Sequence, residues 1–476
     1  MNVIIRKFTS SILYSITPGI ISLLVSIFSI PLFLNILGKA YFGQYLIQIF
    51  FLNIGLIFNL SFNKILILKL GNLSKNNLYQ QSNYLILTFI LSFILIILLT
   101  FFINFMLEIY NFQTFILVNN FYIYFGILLT SLYLLIESLF KLNFEFKKIS
   151  FFNLFFFGIS SSLPAIFLLY YPDLFQDFYI QNEYPKNLVK LMILIKFLTI
   201  FFAVVYLYIK NRIKLIKPNF KEYKFILGYS KWITPNFLIL NLNVLYDKFL
   251  IKIFLGNEAL TLFSIPQQLA SKISLLSNAI TTVIFPIIEK KNFHHKSFHL
   301  SFSFIIVLFL VSTFCLISFN YLHLILELWL GKSFDVNYVI LTKLFIIFFL
   351  IFSINQIINT FNENIRIIKF NLKIETLFFV ISFISIIIIL YYFKNIEYVL
   401  YFLLLRELII FVIKSFIIRK YIFNYSYFNL ITYSLLINLT ILILIKDKIF
   451  YLSLLIIIIL SSIYFLKLKK NSQNLL

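Results

Sequence analysis

The chain has 476 residues, 62% of them apolar and only 12% charged, with a mean hydropathy of +0.99. A soluble domain carries about 45 to 50% apolar and roughly 25% charged residues, so a soluble globular protein is excluded. Its formal charge of +23, from 40 Lys and Arg against 17 Asp and Glu, is read first as membrane topology rather than nucleic-acid binding, because basic residues collect in cytoplasmic loops.

Apolar runs long enough to cross a bilayer begin with 12–34 and 41–62 and continue with 84–107, 121–140, 149–171 and 188–209. The second half supplies 225–246, 259–288, 301–326, 339–361, 372–393 and 398–418. Two shorter runs, 430–445 and 449–466, complete a set of fourteen. Arg6 and Lys7 precede the first run in the manner of a signal peptide, but the run is too long and lacks a small-residue cleavage site, so it is expected to remain as a helix. With the N-terminus cytoplasmic, the inner segments carry 26 Lys and Arg and the outer segments 9. That bias predicts a multi-pass protein with both termini in the cytoplasm. Every loop is short, which leaves no place for a catalytic extramembrane domain.

The first and seventh runs share a motif. Ile16-Thr-Pro18 recurs as Ile233-Thr-Pro235, and Leu37-Gly38 recurs as Leu255-Gly256, at offsets of 217 and 218 residues. Six crossings separate the copies, so they have the same orientation, as in parallel repeats. The expected architecture is an all-α polytopic membrane protein of about fourteen transmembrane helices. Residues 1–218 and 219–424 form two six-helix bundles around a central cavity, and 425–476 add two helices and a basic tail. Such paired bundles suit a transporter.

Five basic residues are not assigned to a loop segment in this count: Lys196, Lys231, Lys272, Lys343 and Arg406. A cation near the bilayer centre costs roughly 2.5 to 3.5 kcal/mol on insertion scales, so each needs water, a partner or an escape to the interface. Lys231 and Lys343 lie near helix ends and can snorkel. Lys196, Lys272 and Arg406 lie deeper and are expected to face a polar cavity, with Lys231 at its inner mouth. Glu407 follows Arg406, but adjacent helical residues diverge by about 100°, so their partners are expected elsewhere. Acidic residues within the runs are few: Glu137 and Glu375 near inner ends, Glu407, and Asp247 beside Lys248 at an outer boundary. More buried cations than anions favour an anionic cargo such as a diphosphate headgroup.

Other chemistry is not expected. Cys315 is the single cysteine, so no disulfide or cysteine metal site forms. His294, His295 and His299 share an inner loop without a completing ligand, and Gly331-Lys-Ser333 lacks the leading glycine of a phosphate-binding loop. No catalytic constellation can be assembled, so the chain is read as a non-enzyme without cofactor or metal.

Residues 31–45 (PLFLNILGKAYFGQY) and 52–56 (LNIGL) resemble the first two helices of polysaccharide flippases of the Wzx type. Residues 232–236 (WITPN), 246–251 (YDKFLI), 254–256 (FLG), Phe263-Ser264, Gln268-Leu269 and 284–286 (IFP) resemble that family's seventh and eighth helices in order and spacing. Trp329-Leu-Gly331 matches a turn before its tenth helix. The resemblance implies the fold shared with multidrug extruders and peptidoglycan-precursor flippases, with helices one, two, seven and eight gating a central cavity. It implies a cargo of undecaprenyl-diphosphate-linked sugar repeat units, moved to the periplasmic leaflet for O-antigen or another surface polysaccharide. The expected partners are that anionic glycolipid, membrane lipids, and a polysaccharide polymerase with its chain-length regulator; nucleic acid is not among them. Pro18, Pro235, Asp247 and Glu407 are the expected gating or coupling residues. Asn59 stands where many members have Asp, a departure at a coupling position. A cation-coupled drug antiporter of the same fold, or a membrane glycosyltransferase or polymerase, are the alternatives.

Overall fold

The structure is a computed structural model that describes residues 2–58, 120–143, 145–170, 184–210, 223–289, 293–364 and 368–418, with single turns between 82 and 97. Every extended element among the described residues is a helix. In hydrocarbon no water is present to satisfy backbone groups, so a lipid-crossing segment must close its hydrogen bonds internally. Among the described residues six helical stretches are long and apolar enough to cross a bilayer, and the bent pair Ser303–Cys315 and Ile317–Ser333 makes a seventh. The chain is a multi-pass, all-α membrane protein. Most of the expected run 84–107, and the runs 430–445 and 449–466, lie outside the described residues.

Helix α1 runs Asn2–Phe58. As one straight rod it would measure about 86 Å, nearly three bilayer cores. It is instead two helices joined at Gly38, whose backbone (φ 74°, ψ 169°) is non-helical. Helix α2 is Asn120–Leu142 and α3 is Phe146–Asn153, followed by a π-helical segment Leu154–Ile159 and α4, Ser160–Tyr170. Helix α5 spans Tyr184–Ile209. Helix α6, Tyr223–Ser271, repeats the form of α1: it breaks at Gly256 (φ 86°, ψ −173°). Both glycines hold a conformation that a Cβ makes costly, so the recurring Leu-Gly is a recurring backbone break.

The expected run 259–288 is broken as well. Helix α7, Ser274–Glu289, is set off from α6 by Lys272 and Ile273, whose N–H groups donate three residues back to Leu269 and Ala270 at 3.2 and 3.0 Å. Ser271, Ser274 and Ser277 each turn the hydroxyl back onto the carbonyl three residues earlier, at 2.7 to 2.9 Å. Such back-bonding competes with the helical ladder and bends helices. Helix α8 is Phe293–Leu330, α9 is Val336–Asn364, α10 is Ile368–Phe393 and α11 is Ile396–Ile418.

The described chain forms two compact units. The first is Met1–Ile265 with Phe383–Lys394, and the second is Pro266–Ser382 with Asn395–Leu476. In the first unit Leu52, Gly126 and Ile193 meet at one level: a methyl at Gly126 would stand against the Leu52 and Ile193 side chains, so the missing side chain lets α1, α2 and α5 close up. In the second, α9 packs on α7, α8 and α11.

Candidate functional site

In the first unit Lys196 on α5 is the deepest cation, 1% exposed. Its Nζ lies 5.0 Å from the centre of the Phe156 ring. Phe156 belongs to the π-helical segment and stacks on Tyr133 at 4.0 Å with the rings within 6° of parallel. A π-bulge shifts the side-chain register of the helix that contains it and recurs at functional positions. The ring's negative face offsets part of the cost of burying an ammonium. From Tyr133 the contacts continue through polar groups: its hydroxyl donates to Asn153 Oδ1 at 2.7 Å, Asn153 Nδ2 donates to Glu137 Oε1 at 3.4 Å, and Glu137 faces Lys141 at 3.1 Å. Glu137 is thereby committed to a lysine on its own helix. Lys196 has no carboxylate partner among the described residues.

Asp247 and Lys248 are buried in α6, between Pro235 and the Gly256 break. The Lys248 backbone N–H donates to Asp247 Oδ1 at 2.7 Å, and the Lys248 ammonium, lying within the Asp247 field, sits 4.2 Å from the Phe50 ring centre. The expected run ends at 246, whereas the helix continues through Asp247 and Lys248 to the break at Gly256. Pro18 and Pro235 are half-buried in α1 and α6. Lys231 lies in α6, but its side chain is outside the described part of the structure.

In the second unit Lys272 stands half-buried in the break between α6 and α7. Lys343 on α9 lies 5.6 Å from the Phe319 ring centre. Arg406 and Glu407 are both buried on α11, and they pair directly, Nη2 to Oε1 at 2.8 Å. The expectation that helical neighbours cannot pair is corrected here: the Cβ vectors diverge, but the arginine side chain is long enough to fold round to the carboxylate. Glu407 Oε2 also accepts from Asn355 Nδ2 on α9 at 3.0 Å, so both carboxylate oxygens have donors.

One cluster was missed. Lys414 counts as a cytoplasmic-loop cation in the topology reading, yet it lies within α11 and is 1% exposed. Its ammonium pairs with Glu375 of α10 and donates to Asn359 Oδ1 of α9 at 2.7 Å. The signal was present in two places: Lys414 stands in an otherwise apolar stretch broken only by Ser415 (411–418, FVIKSFII), and Asn355, Asn359 and Asn362 recur at helical spacing on α9.

The described buried charges therefore number four basic (Lys196, Lys248, Arg406, Lys414) and three acidic (Asp247, Glu375, Glu407). Each carboxylate sits beside a basic residue, and Lys196 is left over.

No protein-family model matches the sequence. A curated relative, the "Putative O-antigen transporter" of Shigella flexneri, is 25% identical over 146 residues, 30% of this chain and 35% of the relative. The matched part thus spans about a third of that relative's length. Among solved structures, a MOP superfamily transporter from Pyrococcus furiosus superposes with a TM-score of 0.61 at 12% identity, covering 85% of this chain and 93% of that one. A MATE transporter of Vibrio cholerae gives 0.61 at 12% identity over 87% and 96%. The lipid II flippase MurJ in an inward closed conformation gives 0.59 at 16% identity and covers 98% of both chains. The chain has the fold of these proteins, which are transporters and flippases rather than enzymes.

Proposed function

We propose that this chain, built on the fold of the MOP superfamily transporters, is a flippase that moves undecaprenyl-diphosphate-linked oligosaccharide from the cytoplasmic to the periplasmic leaflet of a bacterial inner membrane, for O-antigen or another surface polysaccharide. The observation that carries the reading is the buried ammonium of Lys196, which has no carboxylate partner among the described residues. An ion held in the bilayer without a counter-charge is costly, and a diphosphate supplies the missing negative charge together with charge-assisted hydrogen-bond acceptors. The Shigella relative and the coverage of the whole chain by a lipid II flippase fold support a lipid-linked cargo over a soluble one. A cationic drug would need a free intramembrane carboxylate, and Asp247, Glu375 and Glu407 each stand beside a basic residue.

In this reading Lys196 holds the diphosphate during transfer, Lys231 and Lys272 bind it before and after, and Arg406 acts through Glu407 as a positioning residue. Asp247 and Glu407 serve gating or coupling, and Pro18 and Pro235 shape the gating helices. The test is leaflet accessibility of the lipid-linked sugar in cells depleted of the protein. Cytoplasmic accumulation, relieved by the wild-type chain and not by Lys196→Gln at equal abundance, is the expected result. Unchanged translocation on depletion would overturn the function; full relief by Lys196→Gln would overturn the site.

A further inference from the structure

We infer that Lys414 is a tethered cation: its ammonium fills an oxygen-lined site between α9, α10 and α11 that suits a monovalent inorganic cation, and the chain thereby does without such an ion at this place.

The site is formed by Glu375 and by Asn359 Oδ1, both facing the Lys414 ammonium. A carboxylate and an amide oxygen are the donors that hard cations take. Two more oxygens on the same stripe, Oδ1 of Asn355 and of Asn362, are buried and meet no donor among the described residues. They lie four residues before and three after Asn359, one helical turn in each direction. Buried acceptors without donors are rare in folded chains, and these two flank the Asn359 that already faces the Lys414 ammonium.

The placement of Lys414 is not a by-product of helix length. It stands four residues from the end of α11 at Ile418, about 6 Å along the axis, close enough for a lysine to reach the interface. It is nevertheless 1% exposed, beside a Glu375 that is 3% exposed. A buried, ionised carboxylate stripped of its partner is strongly unfavourable, so Glu375 must keep a cation beside it or take up a proton. Eight residues earlier on α11, about 12 Å away, Arg406 does the same for Glu407. Both buried carboxylates among the described residues of this unit thus have a basic partner supplied by the chain itself. The inference rests on this geometry alone and holds whatever the cargo is.

The experiment is thermal unfolding of the purified full-length protein in NaCl, KCl, LiCl or N-methylglucamine chloride at equal ionic strength. The wild type is expected to melt at one temperature in all four. Lys414→Ala is expected to melt about 2 to 4 °C higher in the salt whose cation fits than in N-methylglucamine, and Lys414→Ala/Glu375→Gln is expected to lose that difference. A cation-dependent melting temperature in the wild type overturns the inference. So does a folded Lys414→Ala with the same melting temperature in every salt. If Lys414→Ala is not recovered folded, extraction in each salt decides: recovery in an inorganic cation and not in N-methylglucamine supports the site, and failure in all four overturns it.

Discussion

The hydroxyl of Thr261 donates to the backbone carbonyl of Lys39 at 2.7 Å. Its counterpart 218 residues earlier is Gly43, and the counterpart of Lys39 is Asn257. The reciprocal contact is present: a Cβ at Gly43 would overlap the Asn257 carbonyl oxygen and stand 3.0 Å from Thr261 Oγ1. Residue 261 meets the carbonyl of 39, and residue 43 meets the carbonyl of 257. On one side the approach is bridged by a hydroxyl, and on the other it is closed by leaving the side chain out.

Gly43→Ala is therefore expected to destabilise the protein by about 1 to 3 kcal/mol, since the obstacle is backbone and cannot rotate away. Gly126→Ala meets only the ends of Leu52 and Ile193 and should cost less. Thermal unfolding of the two variants beside the wild type checks the order, and equal losses would contradict it.

Gly38→Ala and Gly256→Ala are each expected to cost about 1 to 3 kcal/mol through backbone strain alone, because no atom lies within 4 Å of either added Cβ. Asn, which relieves left-handed helical positions, should not rescue either site, because ψ near 170° is outside that region. Matched melting curves for the Ala and Asn variants test this.

Lys196→Met should move stability and transport in opposite directions. Removing a buried ammonium recovers an insertion cost of roughly 2.5 to 3.5 kcal/mol and loses a cation–π contact of up to about 2 kcal/mol. The melting temperature should rise or hold while flipping falls by about tenfold or more. A parallel fall in both would point to a purely structural lysine.

Arg406→Met leaves Glu407 buried with only Asn355 as donor, and a loss of about 3 to 5 kcal/mol is expected. Arg406→Met/Glu407→Gln should recover most of it, since a neutral amide keeps a hydrogen bond to Asn355 without an isolated charge. The two melting temperatures decide; equal values would show that the pair contributes little.

Hydropathy and the recurring Leu-Gly at 37–38 and 255–256 were enough to establish an all-helical membrane chain and to point to the breaks at Gly38 and Gly256, because both depend on local quantities: transfer free energy per residue and the φ that only glycine adopts readily. Pairing was not legible. Lys414 and Arg406 sit in similar apolar surroundings within α11, and nothing local distinguishes a snorkelling lysine from one turned inward to Glu375 39 residues away. Nor does the 100° step between neighbours forbid the Arg406–Glu407 pair, because the arginine side chain is long enough to fold round to the carboxylate that Asn355 also holds. Which cation is neutralised and which, like Lys196, is left over depends on contacts between helices remote in sequence, and tertiary packing alone decides those.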